Sequence, residues 1–179
     1  MAESDGFLRE IRITHVMDCL ADPSKIRVLA HFSCDVWDAL PYLAALLPQA
    51  GYNHAAGIMT LVREGRMLSI YPRTVMLAKA LDEEDALAVL GWLKGKINEA
   101  DARRSELEPC YERRRSPRLL DTYRLLPGGN CRRCGHATCL ALAAHLAFGE
   151  ARIADCPRLL EPEFARNRAV LIEWLGPDD

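Results

Sequence analysis

The first hundred residues switch between two periodicities. Lys25–Phe32 (KIRVLAHF) mixes β-branched and polar positions and predicts a strand. Gly57–Arg63 and Met67–Tyr71 flank Glu64-Gly65, a pair suited to a hairpin turn, and Thr74–Lys79 predicts a further strand. Between these, Asp38–Leu47 predicts a short helix ended by Pro48. Asp82-Glu83-Glu84-Asp85 then places acids where the first turn of a helix favours them. Ala86, Leu90, Leu93 and Ile97 follow at helical spacing, so a helix is expected over about 83–103. Thr138–Phe148 predicts a third helix, capped by Thr138 and ended by Gly149. Pro162–Leu175 predicts a fourth, with Phe164, Leu171, Ile172, Trp174 and Leu175 on its apolar face. Three or four strands with two helices, then a loop–helix module and a C-terminal helix, make an α+β chain.

Composition divides this pattern. Residues 103–118 (RRSELEPCYERRRSPR) carry six Arg, three Glu and two Pro with almost nothing to bury, so they read as a linker or solvated joint. The expected organisation is an α+β domain with a β-hairpin over 1–104, an Arg-rich linker over 105–120, a cysteine-bearing module over 121–158 and a C-terminal helix over 159–179. Net charge is −4 over residues 1–102 and +2 over the remainder, and every basic residue of the second part is arginine. The overall charge of −2 argues against a dedicated nucleic-acid binder. An acidic N-terminus without an apolar run, and apolar stretches too short to span a bilayer, predict a cytoplasmic protein with no membrane insertion. In that compartment clustered thiols hold metal more often than they form disulfides.

Four of the seven cysteines fall after residue 130: Cys131, Cys134, Cys139 and Cys156, spaced C-x2-C-x4-C-x16-C with Pro157 following the last. Gly128, Gly129, Asn130 and Gly135 surround the first three, and glycine lets backbone fold around a bound centre without a Cβ clash. The expected helix would present free amides and partial positive charge beside Cys139. Its alanines (Ala141, Ala143, Ala144, Ala147) would keep it slim enough to lie close to a metal. Four thiolates suit tetrahedral zinc. Three grouped ligands with one distant Cys-Pro favour a [4Fe-4S] cluster, with Zn2+ as the alternative.

The segment L-P-G-x-N-C-x-x-C-G-x-x-x-C, followed by an Ala-rich helix, a Gly and Cys-Pro, resembles a small [4Fe-4S] domain. It is the type found in the large subunit of the corrinoid/iron–sulfur protein and in the B subunit of Rnf electron-transport complexes. The resemblance covers about residues 125–158. It implies that Cys131, Cys134, Cys139 and Cys156 each ligate the cluster. Arg132-Arg133 departs from it where a small residue is expected first; the added charge should raise the potential or mark a docking surface. The overall layout also resembles uncharacterised single-cluster proteins of anaerobic bacteria.

Other candidates carry less. Cys19 and Cys34, with His15 and His31 nearby, form no ligand signature and read as packing residues. Cys110 reads as an incidental thiol of the joint. Arg113-Arg114-Arg115 reads as a solvated run, or as a patch that attracts an acidic redox partner. No nucleophile–base pair, phosphate loop or paired carboxylates argue for an enzyme. The leading expectation is a one-electron carrier or reductive-activation accessory to a protein partner, by analogy a corrinoid protein or a reductase. The second is an interaction or regulatory module with a structural four-cysteine centre.

Overall fold

The computed structural model describes residues 6–20, 22–112 and 118–175. Six strands, β1 (Ile11–Asp18), β2 (Ile26–Phe32), β3 (Gly51–Asn53), β4 (Ile58–Arg63), β5 (Arg66–Ile70) and β6 (Thr74–Ala80), form one sheet in the order β1-β2-β6-β5-β4-β3. All neighbours are antiparallel. The helices are α1 (Leu40–Leu46), α2 (Glu83–Ala102), α3 (Leu119–Leu125), α4 (Cys139–Ala147) and α5 (Ala165–Leu175). The fold is α+β, as expected, with a C-terminal helix.

Two strands exceed the expected three or four. β1 sits at the sheet edge, where a register shift between Ile13 and His15 interrupts its alternation, and β3 is only three residues long. Two expected helices start later. Trp37–Ala39 is a 3-10 turn before α1, and Pro162–Phe164 is another before α5. α3 begins at Leu119, inside the stretch expected to be linker. Arg113, Arg114 and Arg115 lie outside the described residues. Earlier in that stretch, the Cys110 amide donates to the Pro41 carbonyl at 3.0 Å, so the chain there lies against α1. Among the described residues no helix is long and apolar enough to cross a membrane.

Strand alternation puts Val28, Ala30, Leu68, Ile70, Val75 and Leu77 on one sheet face, all fully buried. α2 covers them with Ala86, Val89, Leu90, Leu93, Ile97 and Ala100, the stripe that a 3.6-residue period demands. Asp82 caps α2 by accepting from the Asp85 amide at 2.8 Å. Asn98 on α2 holds the N-terminal segment, accepting from the Leu8 amide at 2.7 Å and donating to its carbonyl at 3.0 Å. A second apolar cluster is separate from this core. It gathers Leu126, Cys139, Leu142, Ala143, Leu146, Ile153, Cys156, Leu159 and Leu171 from the last third of the chain.

The β4–β5 hairpin joins the two. Glu64 (φ 48°) and Gly65 (φ 77°) form the expected two-residue turn, both left-handed, as a tight hairpin of this twist requires. The Gly65 amide donates to the Phe148 carbonyl at the C-terminal end of α4, at 3.1 Å. Gly149 has φ +62°, and a Cβ there would stand 3.2 Å from the Glu64 nitrogen, so glycine permits this approach. A cleft of about 500 Å3 opens beside the junction, lined by Trp92, Lys96, Leu146 and Ile153 among others.

The Arg66 guanidinium forks onto Asp85 at 3.1 and 2.7 Å, tying β5 to the start of α2. Arg66 first, and the Leu81 amide after it, hold the Asp85 carboxyl below its ordinary value. A depressed folded-state pKa contributes stability above the unfolded value and loses it as pH falls through the folded one. Asp85→Asn should therefore destabilise by about 1–2 kcal/mol at pH 7 in urea melts. The gap from the native chain should shrink once the pH drops below about 3.8, and a pH-independent gap would contradict this role.

Candidate metal centre

The cysteine loop is shaped by backbone that ordinary residues avoid. Gly128 (φ 70°) and Gly135 (φ 83°) take left-handed conformations, and so do Asn130 (φ 45°) and Arg132 (φ 60°). Asparagine tolerates this region because its short polar side chain bonds locally. Here the Asn130 carboxamide oxygen accepts from the Cys139 amide at 2.8 Å, closing the loop across nine residues. In the sequence Asn130 stands in a glycine-rich turn and in the resembled motif, with no role of its own. Its place before the first cysteine, in a glycine-rich run, is the signal that could have marked it as a tie.

Cys139 opens α4. Thr138 is the N-cap, extended in backbone, and its hydroxyl accepts from the Ala141 amide at 3.0 Å, as expected. The buried stripe Cys139, Leu142, Ala143 and Leu146 then turns Cys139 inward with the apolar side of the helix. At the other end Gly149 donates to Leu146 O at 3.1 Å and Glu150 to His145 O at 2.8 Å, a pair of bonds that stops the helix in a Schellman turn. The return segment brings Cys156 back between two 3-10 turns, Ile153–Asp155 and Pro157–Leu160. Pro157 suits the first position of its turn because it lacks the amide left unpaired there.

Cys139 and Cys156 are buried, and Cys134 packs half-buried against the same cluster. Cys131 is exposed. Burial pushes the Cys156 thiol up. The amides of Leu159 and Arg158, bonded to its sulfur, pull the other way, and charge at Cys134 or Cys139 pushes it up again. Cys134 and Cys139 thus both lie near Cys156. Among the described residues, no three His, Cys, Asp or Glu side chains converge at the spacing that holds a single metal ion. On the chemistry of the donors, the gathered thiols Cys134, Cys139 and Cys156 fit an iron–sulfur cofactor, with amides beside one sulfur, a helix N-terminus at another and an apolar surround.

Of the remaining cysteines, Cys19 is buried just after β1, while Cys34 and Cys110 pack partly buried against the sheet core, and the Cys34 sulfur donates to the Phe7 carbonyl at 3.4 Å. His15 and His31 are exposed on β1 and β2. His136 and His145, unremarked in the sequence, stack at 4.6 Å between ring centroids, and His145 Nδ1 lies 2.9 Å from Glu150 Oε2.

Comparison with known proteins bears on this segment. A family model described as "Putative Fe-S cluster" matches residues 126–158. The acetyl-CoA decarbonylase/synthase complex subunit gamma of Methanocaldococcus jannaschii is 43% identical over 58 residues, which is 32% of this chain and 12% of that protein. Its counterpart in Methanosarcina acetivorans is 42% identical over 60 residues (33% and 13%), and that of Methanopyrus kandleri 48% over 52 (29% and 11%). The chain thus spans about an eighth of the length of these curated relatives. No solved structure matches it. The matches support an iron–sulfur domain, and an iron–sulfur cofactor, in a chain related over that stretch to the gamma subunit.

The loop geometry predicts the effect of altering its tie. Asn130→Ala removes the acceptor for the Cys139 amide and strains a left-handed position. It should cost about 1–2 kcal/mol and lower the iron retained after anaerobic purification. Asn130→Asp, which keeps an acceptor, should recover most of the retained iron. Equal retention in all three proteins would show that the tie does not shape the site.

Proposed function

We propose that the chain binds one [4Fe-4S] cluster through Cys131, Cys134, Cys139 and Cys156. It would act as a one-electron carrier, or as a reductive-activation accessory, to a protein partner in the cytoplasm. The observation that supports this most directly is the meeting of Cys134, Cys139 and Cys156 in one apolar cluster, although the last lies far along the chain from the other two. Such a group, when bound, supplies a centre that takes up and releases a single electron.

The protein's own part is to hold and tune. Left-handed backbone at Gly128, Asn130, Arg132 and Gly135 shapes the loop, from which Cys134 and Cys139 pack with Cys156. The start of α4 offers partial positive charge beside Cys139, which favours an anionic centre. The Leu159 and Arg158 amides at the Cys156 sulfur favour the thiolate and raise the potential, whereas the apolar surround opposes extra negative charge. Four cysteine ligands leave no open coordination position, so the protein's residues direct electrons rather than bind a substrate at the metal.

The relatives are named as subunits of a complex, which supports a protein as the recipient. A corrinoid protein or a reductase needing reductive activation is the class proposed, in keeping with the resemblance of the cysteine segment to corrinoid/iron–sulfur and Rnf modules. The sheet unit, roughly residues 1–104, would recognise that partner.

The test is reduction of anaerobically purified protein with dithionite, followed by EPR, in the native chain and in Cys131→Ser and Cys156→Ser. A reducible paramagnetic signal in the native chain, lost or reshaped in each variant with a fall in bound iron, is the expected outcome. A variant with unchanged iron and spectrum would exclude that cysteine as a ligand. A diamagnetic, redox-silent native centre would favour a structural role.

A further inference from the structure

From Thr122 to Gly149 the chain contains no Asp or Glu, although it carries Arg124, Arg132 and Arg133. Several arginines of the described structure have a close carboxylate. Arg66 pairs with Asp85 at 2.7 Å, Arg103 with Glu99 and Glu106 at 3.1 Å, Arg104 with Asp101 at 2.8 Å and Arg124 with Asp121 at 3.2 Å. Arg132 and Arg133 differ from these. Both are exposed, adjacent, and without an ion pair among the described residues. They occupy the two positions between exposed Cys131 and half-buried Cys134.

The backbone sharpens the contrast. Arg132 holds φ +60°, a conformation that Gly128 and Gly135 adopt in the same loop without strain. An arginine kept at such a position, beside a second arginine and with no internal partner, adds repulsion and strain that glycine would avoid. Arg158 brings a third guanidinium to the loop, since a Cβ on Gly129 would stand 2.7 Å from its Nη1. Its own contacts with Glu161 (3.8 Å) and Glu163 (3.4 Å) are long. Arg132, Arg133 and Arg158 thus stand at the loop that carries the exposed Cys131.

We propose that this edge, formed by Cys131, Arg132, Arg133 and Arg158, meets an acidic face of the same redox partner that the sheet unit recognises, and that electrons cross there. The inference rests on the cluster reading and adds to it the exit and the charge of the partner. Complementary charge would steer encounter and make the rate fall with ionic strength.

The experiment uses the reduced, cluster-loaded chain and two outer-sphere oxidants of opposite charge, hexacyanoferrate(III) and tris(phenanthroline)cobalt(III), mixed by stopped flow. One electron leaves the protein and yields hexacyanoferrate(II) or the cobalt(II) complex. Arg132→Glu/Arg133→Glu should shift the anion-to-cation rate ratio toward the cation by roughly tenfold or more at low salt. Arg73→Glu/Lys94→Glu makes the same change in net charge on the sheet unit and should move the ratio less than about twofold. A fluorescent oligoglutamate peptide, followed by anisotropy, gives a second readout that does not depend on electron flow. Its binding should weaken in the first double variant and persist in the second.

Equal shifts in both variants would overturn the docking surface, because charge would then act globally. So would peptide binding unaffected by Arg132→Glu/Arg133→Glu. A chain that loads no reducible centre defeats the underlying reading, and the electron route with it. That outcome differs from a loaded chain whose rates ignore the loop.

Discussion

Thiols drawn together in an apolar pocket are held as thiolates only when something positive lies among them. Two buried cysteines and one half-buried neighbour cannot all ionise unaided, since each negative charge opposes the next and the surround gives no water. The organisation of the last third of the chain follows from that constraint. Left-handed loop backbone and the start of α4 bring thiols and amides to one place, and the two 3-10 turns return Cys156 to them. Each element is short, and among them they bury little surface. Under the proposed reading the bound centre supplies much of the cohesion that these elements lack alone.

The sheet contributes in a different way. Its hairpin tip touches the end of α4 through Gly65 and the Phe148 carbonyl, and Gly149 leaves room for that contact. The opposite end of α4 carries Cys139. A nine-residue helix thus has a cysteine at one terminus and the sheet at the other, so the larger sheet core steadies the module's smaller apolar cluster.

Legibility in the sequence tracked how local the cause was. α2 was plain because acids at its start and a helical apolar stripe reinforce each other within one segment. The hairpin was plain because Glu64-Gly65 dictates its own turn. β3 was too short to show a period, and β1 lost its alternation to a bulge at the exposed sheet edge. The meeting of Cys134, Cys139 and Cys156 was legible from spacing, and the Thr138 cap from residue type. Asn130 was not, since its bond to Cys139 depends on a left-handed backbone bringing distant residues together. Arg132 was visible as a departure from the resembled pattern, yet only the fold shows that it sits at a positive φ beside the exposed cysteine. The contact between Gly65 and Phe148 has no local signature in the sequence.

The central claim is that these four cysteines hold a polynuclear iron–sulfur centre rather than a single ion. Iron, acid-labile sulfide and zinc counted per chain in anaerobically purified protein test it most directly. About four iron and four sulfide per chain is the result predicted. One zinc per chain with no sulfide would contradict it.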